Sequence, residues 1–469
     1  MIRAAGHLIP PTPSARATPL SRRRSALSRF LPSGGVGPRG LLILLLGLVW
    51  IGPAWFEPRF LLAMAFWDAV AVALWVWDFS RLPHPNRLEV RRVWVTAPAL
   101  GAQSSIELHL DNSGDVPISA VVVDDVLPIF RSQPPVLEIR ARTGDAGIAR
   151  YEIFPTMRGD ARFGRVFVRY QSFFRIAERW AHVDIPQIVR VYPNLEEARR
   201  ETLYLIRTRQ VQLEKRLRRQ PGQGRDFESL REYRPGDPWR DICWTASARR
   251  VRLVSKVYQI ERSQTVWLVL DTGRLLGARV DWPSKLDYAV NAALALAQVA
   301  LHSGDRVGLL AYGRKLQQQV PANRGPHQLR AFVESLALVH TEQYEADHLG
   351  AAKKLLTLQN RRSLIVWLTD LAETAALPDV IESTMQMTPR HLVLFGVLKQ
   401  PELTQIADRT PETTKQMYHH VAAQEMLDRR ELLLRRLQQH GVLAMEFDPR
   451  HLTSALVNRY LEIKERSLL

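Results

Sequence analysis

The feature that most restricts the fold lies after Gln264, where short apolar runs alternate with helix-like segments. The runs are continuous rather than alternating in polarity, which is typical of parallel strands covered on both faces. Between two of them, apolar residues recur at helical spacing, as at Leu286, Val290 and Leu294. This alternation predicts a doubly wound α/β sheet over residues 265–469. The apolar runs are residues 265–271, 306–312, 363–370, 391–397 and 442–447.

Two apolar segments near the start of the chain, residues 40–56 and 60–79, are each long enough to cross a bilayer. At about 1.5 Å per residue they would span about 26 and 30 Å, close to the thickness of a hydrocarbon core. Only three residues separate them, which predicts a two-helix transmembrane hairpin over residues 39–80. A charged Asp68 facing lipid in mid-span would be costly, so we expect it to face another helix or subunit, or to be protonated.

The net charge of +17 is concentrated in two patches rather than spread over the chain. Residues 1–40 hold seven arginines and no acid, and residues 200–262 carry a net charge of +8. Arginines flank the apolar segments on both outer sides, which favours cytoplasmic ends. We therefore expect a multi-pass protein of the bacterial inner membrane with its soluble domains facing the cytoplasm. Residues 1–38 are rich in Pro, Ser, Arg and Gly, which predicts a disordered basic tail.

The region between the apolar segments and the α/β region divides into two parts. Residues 86–194 contain short runs with period-two polarity punctuated by turn sequences, which predicts a small β-sandwich-like domain. Residues 195–264 form a charged connector.

The sequence contains few candidates for catalysis. It has no Gly-x-Ser-x-Gly, phosphate loop or His-Glu-x-x-His motif. Cys243 is the only cysteine, which excludes an intrachain disulfide and a cysteine-based zinc site. A cysteine hydrolase would require this thiol to be exposed beside a histidine, whereas its apolar neighbours suggest a buried strand. We therefore predict that the protein is not an enzyme, with a cysteine hydrolase as the remaining enzymatic alternative.

One stretch of the connector combines alternating charges, a Pro-Gly-Asp turn and two tryptophans. It reads RDFESLREYRPGDPWRDICWTASARR over residues 225–250, and a strand-like run ending in Asp271 comes after it. This stretch resembles the family known as domain of unknown function 58, whose layout the apolar segments and the β-rich region also fit. The signature residues are Arg231, Tyr233, Gly236, Asp237, Arg240, Trp244 and Arg249.

The resemblance implies a von Willebrand factor A-like fold for the α/β domain. Metal sites of that fold use an Asp-x-Ser-x-Ser loop, a threonine and a second aspartate. Here Asp271 is followed by Gly273 and Leu275 in place of the two serines, and Ala346 stands where the threonine would fall. These three positions offer no side-chain oxygen to a metal.

The third loop retains Thr369 and Asp370, so two carboxylates remain, those of Asp271 and Asp370, and Arg274 could neutralise one of them. Because Mg²⁺ requires more oxygen ligands than remain, we predict a degenerate site formed by Asp271, Thr369 and Asp370 without a bound metal. No cofactor is expected. The alternative is a Mg²⁺-dependent adhesion or binding module of the von Willebrand A type.

The charged signature stretch has three interpretations. The first is a docking surface whose arginines meet acidic groups of a partner. The second is binding of nucleic-acid phosphates, which the absence of interleaved aromatic residues disfavours. The third, which we favour for most of the charges, is an internal ion-pair network with Trp239 and Trp244 packed beneath it. The arginines concerned are Arg231, Arg234, Arg240, Arg249 and Arg250.

These features together predict a membrane-anchored scaffold or adaptor that binds protein. The family resemblance implies a MoxR-type AAA+ ATPase as the partner, because such ATPases commonly occur beside members of that family. The membrane bilayer is the second expected partner, and nucleic acid is not expected.

Overall fold

A computed structural model describes residues 14–16, 18–19, 34–194, 226–235, 237–259, 264–278, 282–370 and 377–466. The chain divides into two compact units, Met1–Tyr192 and Pro193–Leu469. The connector residues 195–225 lie outside the described residues, as does most of the predicted disordered tail.

The first unit contains three apolar helices among its described residues, α1 (Pro38–Gly47), α2 (Ile51–Ala54) and α3 (Phe60–Arg81). Within the described part of the chain, only the helical stretch at 60–87 is long and apolar enough to cross a membrane, with a mean hydropathy of 1.9. The apolar stretch at 38–54 is shorter. The two stretches touch, since Trp67 Nε1 donates to the carbonyl of Ile43 over 2.9 Å. Two complete spans therefore stay a prediction.

The rest of the first unit is two antiparallel sheets that share one buried apolar cluster. Inward residues such as Leu108, Val122 and Val168 are at most 2% exposed, as the period-two pattern requires. The strands are β1 (Ser14–Arg16), β2 (Thr18–Pro19), β3 (Gly34–Val36), β4 (Leu88–Trp94), β5 (Ser104–Asn112), β6 (Ile118–Asp124), β7 (Val136–Ala141), β8 (Ala146–Ile153), β9 (Gly159–Gln171) and β10 (Ala177–Val191). The sheet orders are β1-β4-β5-β8 and β2-β10-β9-β6-β7, with β3 also on β10.

The three shortest strands lie in the tail for which the sequence predicts disorder. Strand β1 pairs with β4, whereas β2 and β3 pair with β10. The edges of β4 and β10 offer unpaired backbone groups, and a neighbouring chain can pair with them whatever its side chains are. Side-chain patterning therefore could not reveal these strands.

From residue 226 onwards, the second unit contains a two-stranded antiparallel ribbon, β11 (Asp226–Glu232) and β12 (Val254–Gln259), with helix α4 (Trp244–Arg250) between its strands. A six-stranded sheet follows, in the order β15-β14-β13-β16-β17-β18. Its strands are β13 (Thr265–Asp271), β14 (Arg306–Tyr312), β15 (Leu316–Asn323), β16 (Leu364–Thr369), β17 (Leu392–Leu398) and β18 (Leu443–Phe447). All pairs are parallel except β14 with β15. The predicted doubly wound α/β domain is confirmed.

Helices surround this sheet. The first, α5, is almost wholly buried, which its run of alanines permits because small side chains allow close packing. The helices are α5 (Lys285–His302), α6 (Pro326–Leu338), α7 (His348–Leu358), α8 (Leu377–Met387), α9 (Pro401–Asp408), α10 (Thr414–Gln439) and α11 (Leu452–Glu465).

Candidate functional site

The carboxyl edge of the six-stranded sheet brings together the three residues of the predicted degenerate metal site. Strands β13 and β16 are parallel neighbours, so Asp271 and Thr369 at their ends meet. The Thr369 hydroxyl donates to Asp271 Oδ2 over 2.6 Å, and the backbone N–H of Gly273 donates to Asp271 Oδ1 over 2.7 Å. Both oxygens of this buried carboxylate therefore already have donors.

Asp370 follows Thr369 directly and lies between two buried cations. Lys285 Nζ lies 2.6 Å from its Oδ2, and Arg430 Nη2 lies 3.0 Å from its Oδ1. Gln400 Nε2 also donates to Oδ2 over 3.1 Å. The Asp370 side chain is 0% exposed, that of Lys285 is 1% exposed, and that of Arg430 is 3% exposed. Neutralisation within the fold thus comes from Lys285 and Arg430.

The sequence predicts a different cation beside the carboxylates at this edge. Arg274, the expected neutralising residue, instead forms an exposed ion pair with Glu345, 3.3 Å away. Lys285 left a weak signal, because it is the one lysine or arginine of a helix that is otherwise largely apolar. Arg430 left none, since α10 carries charges along most of its length.

The carboxyl edge does not fit a Mg²⁺ ion. An octahedral site needs free oxygens around the metal, whereas each carboxylate oxygen of Asp271 and Asp370 accepts a hydrogen bond from the protein. The ammonium of Lys285 already supplies positive charge at this place. A Cβ on Gly273 would lie 3.0 Å from Asp271 Oδ1 and 3.1 Å from the backbone N of Ala346, so a serine there would be crowded.

A buried polar chain lies beside this edge. Trp367 Nε1 donates to the Tyr312 hydroxyl over 2.6 Å, and that oxygen lies 2.8 Å from His348 Nδ1. Burial lowers the pKa of His348, which keeps the imidazole neutral near neutral pH. Burial also raises the pKa of Asp271. Both shifts have the same physical cause, the poor solvation of charge in the interior.

The signature stretch forms a small frame of its own. Arg231 Nη2 lies 2.7 Å from Asp237 Oδ1, and the backbone N–H of Arg234 donates to Asp237 Oδ2 over 3.1 Å. Asp237 therefore closes the turn that joins β11 to the following residues. Tyr233 lies beside Trp239, with a distance of 6.3 Å between ring centroids. Gly236, also in the predicted signature, lies outside the described residues.

A buried hydroxyl completes the frame. The Ser247 hydroxyl donates to the carbonyl of Cys243 and accepts from the backbone N–H of Val254, each over 2.9 Å. It thereby joins α4 to β12.

The two tryptophans of the signature are exposed, contrary to the prediction that they pack beneath the charges. Trp239 is 73% exposed and Trp244 is 63% exposed. Arg240, Arg249 and Arg250 are also exposed, and they form no ion pair with other residues in the described ranges. We call residues 239–250 the Trp–Arg segment. Among the described residues of the signature stretch and its flanks, the internal ion pairs are those of Arg231 with Asp237 and of Arg252 with Glu232.

Cys243 lies within this segment and is half-buried, at the start of a helix rather than in the buried strand that was expected. Its Sγ lies 3.5 Å from the Thr245 hydroxyl, and this contact, with a backbone contact to Ala246, lowers the pKa of the thiol. Histidine is not among the groups that shift it.

Comparison with known proteins finds one family and distant relatives. Residues 229–412 match the family described as Protein of unknown function DUF58. The uncharacterized protein Rv1480 of Mycobacterium tuberculosis is 27% identical over 152 residues, which are 32% of this chain and 48% of that protein. The chain spans about half the length of the curated relatives it matches.

Two solved structures show a weak likeness. BatB from Bacteroides thetaiotaomicron has 12% identity and a TM-score of 0.31, covering 44% of this chain and 100% of that one. The vWF domain of the type V pili tip protein Mfa5 from Porphyromonas gingivalis has 10% identity and a TM-score of 0.27, covering 43% and 95%. The family match runs from the signature stretch into the α/β domain, and over these residues the chain is similar to the DUF58 family.

Proposed function

We propose that this chain is a membrane-anchored scaffold or adaptor that binds a protein partner through the Trp–Arg segment. The observation that carries the proposal is the exposure of Trp239 and Trp244 beside arginines that have no ion pair among the described residues. Two exposed indoles do not stabilise the isolated chain by burial, whereas aromatic and arginine side chains contribute much of the binding free energy at protein interfaces.

The frame around the segment supports this role. Asp237 holds the turn through Arg231 and Arg234, and Ser247 holds α4 against β12. A surface whose backbone is already fixed loses less conformational entropy on binding than a loose one. The exposed tryptophans are thus presented by a braced backbone rather than by a free loop.

The charge of the segment specifies the chemistry of the partner. Arg240, Arg249 and Arg250 are exposed and would pair best with clustered carboxylates, because a guanidinium binds a carboxylate through two parallel hydrogen bonds. We propose a MoxR-type AAA+ ATPase with an acidic docking surface as this partner. The family resemblance suggests the class of partner, and the segment suggests the chemistry of contact.

The proposed anchor is the apolar helical stretch at 60–87, with the shorter stretch at 38–54 as a second span. Arginines on both outer sides support an inner-membrane position with the soluble domains in the cytoplasm. A reporter that works only in the cytoplasm should be active when it is fused to the carboxyl terminus. A reporter that works only outside the cytoplasm should be inactive at the same position, and its activity would overturn this orientation.

The docking proposal is tested by co-purification of the tagged full-length chain in mild detergent. We expect a MoxR-type ATPase, identified by mass spectrometry, with the wild-type chain and a large loss with Arg240→Glu. Arg409→Glu is the matched control, since Arg409 is an exposed arginine of the α/β domain outside the segment. Equal recovery of the ATPase with both variants would contradict the proposal.

A further inference from the structure

The tip of the longest hairpin of the first unit, residues 172–176 between β9 and β10, lies against the end of α3. Asp78, in the last turn of α3, is fully buried and accepts three hydrogen bonds from this region. The donors are the Ser172 hydroxyl at 2.6 Å and the backbone N–H groups of Ile176 at 3.2 Å and Ala177 at 2.9 Å. These three hydrogen bonds hold the hairpin tip firmly to the end of α3, because losing any one donor would leave the buried carboxylate poorly solvated.

Further contacts hold the hairpin tip to the start of α1. The backbone N–H of Gly37 donates to the carbonyl of Ile176 over 2.7 Å, and that of Arg39 donates to the carbonyl of Arg175 over 3.2 Å. Gly37 is required by this close approach, since a Cβ there would lie 2.3 Å from the Arg175 carbonyl oxygen. The tip is therefore attached to both apolar helical stretches.

Despite these attachments, the tip leaves two large apolar side chains exposed. Phe173 is 76% exposed and Phe174 is 42% exposed, with their rings 5.9 Å apart. Phe174 packs on Trp77, at 5.5 Å between centroids, and Trp77 is itself 44% exposed in the last turns of α3. The apolar surface of the tip is thus continuous with the apolar surface of the helix that is long enough to cross a membrane.

Cationic side chains accompany this apolar surface. The Arg81 guanidinium lies 4.9 Å from the Trp77 ring centroid, and Arg39 donates to the carbonyl of Phe174 over 3.4 Å. Arg175 is exposed and has a φ of 56°, a left-handed conformation that is unfavourable for a residue other than glycine. Such a conformation persists only where surrounding contacts impose it, and it often accompanies a functional surface.

We propose that the hairpin tip inserts Phe173 and Phe174 into the interfacial layer of the bilayer beside α3, with Arg39, Arg81 and Arg175 meeting anionic lipid headgroups. Aromatic side chains favour this layer, and arginines near it are attracted to anionic lipid. The β domain then lies against the membrane as a fixed platform instead of hanging from a flexible linker. This inference rests on the membrane anchor of the proposed function.

The test uses full-length protein in vesicles of phosphatidylcholine and phosphatidylglycerol. In a Cys243→Ser background, a single environment-sensitive probe is attached at Phe173→Cys, at Val72→Cys in α3, or at Thr143→Cys in an exposed turn of the β domain. We expect doxyl-labelled lipid to quench the probes at 173 and 72 several-fold more than the probe at 143. Aqueous iodide should show the opposite order.

Probes at 173 and 175 that both behave like the probe at 143, while the probe at 72 is quenched by lipid, would overturn the inference and leave the anchor intact. Lack of lipid quenching at 72 would overturn the anchor and the inference together. A probe at Arg175→Cys leaves both phenylalanines in place and should be quenched by lipid as well, so that loss of Phe173 itself cannot decide the result.

Discussion

The carboxyl edge of the α/β sheet and the Trp–Arg segment use charge in opposite ways. At the edge, the Asp370 carboxylate is buried between Lys285 and Arg430, and its interactions are satisfied within the fold. In the segment, Arg240 and Trp239 are exposed and offer their interactions to solvent. Open α/β sheets usually bind ligands at the carboxyl edge. We propose that in this protein the edge serves stability and that the surface used for recognition lies in the signature stretch.

The largest expected effect follows from breaking the charge balance at the edge. Asp370→Asn leaves the buried Lys285 without its carboxylate and removes the closer of the two carboxylates beside Arg430, which should cost about 3–5 kcal/mol of unfolding free energy. Urea unfolding of the full-length chain in detergent measures it. Glu345→Gln, which breaks the exposed pair with Arg274, should change stability by no more than about 1 kcal/mol. Equal costs for the two variants would show that the edge is not a compensated buried site.

The next effect concerns the frame under the Trp–Arg segment. Ser247→Ala leaves the buried backbone N–H of Val254 without its acceptor, which should cost about 1–3 kcal/mol locally. Hydrogen exchange should show faster exchange in α4 and β12 and unchanged exchange in the six-stranded sheet. Thr245→Ala is the control, because Thr245 is exposed on the same helix. Faster exchange throughout the second unit would show that segment and sheet are one cooperative structure.

A smaller effect is expected from pH. Burial lowers the pKa of His348 below the value of about 6.5 that it has in the unfolded chain. As the pH falls, the unfolded chain therefore binds a proton at His348 before the folded chain does. The stability that the neutral His348 contributes is complete above about pH 6.5 and is lost as the pH falls towards the lowered pKa. Asp271, whose pKa burial raises, acts in the opposite direction.

Because of this opposition, the informative quantity is the difference between wild type and His348→Gln. We expect wild type to lose more unfolding free energy than His348→Gln between about pH 7.5 and 5.5, by at most about 1.4 kcal/mol. Parallel pH profiles for the two proteins would show that His348 does not contribute to the pH dependence of stability.

The smallest expected effect is that of a metal. Since the carboxylate oxygens of Asp271 and Asp370 already accept hydrogen bonds from the protein, Mg²⁺ and EDTA should give the same melting temperature. A rise with Mg²⁺ that Asp271→Ala abolishes would instead support the metal-dependent binding module.

Strands that are buried on both faces could be predicted from the sequence, whereas strands that are held at a sheet edge mainly by backbone pairing could not. Strands β13, β14, β16 and β17 have continuous apolar sequences and were predicted with nearly their observed bounds. Strand β15, with the sequence LQQQVPAN, was missed because it lies at the sheet edge and needs no apolar pattern.

The candidate site was predictable only where a residue's position in a strand decides its role. Asp271, Thr369 and Asp370 follow from strand ends. The pairing of Asp370 with Lys285 and Arg430 joins residues 85 and 60 positions apart, which no local pattern encodes. Exposure of Trp239 and Trp244 was missed for a related reason, since large apolar side chains are usually buried and only tertiary contacts decide otherwise.

We propose that the Trp–Arg segment binds the partner while the sheet edge only stabilises the domain. The most direct test of this division of roles is the affinity of the full-length chain in detergent for a purified MoxR-type ATPase of the same cell, for wild type and Trp239→Ala. Trp239 is exposed, so its loss should leave the unfolding free energy within about 0.5 kcal/mol of wild type. We predict a loss of about 2 kcal/mol in binding, roughly a 30-fold weaker Kd. An unchanged Kd would contradict this division of roles between the segment and the sheet edge.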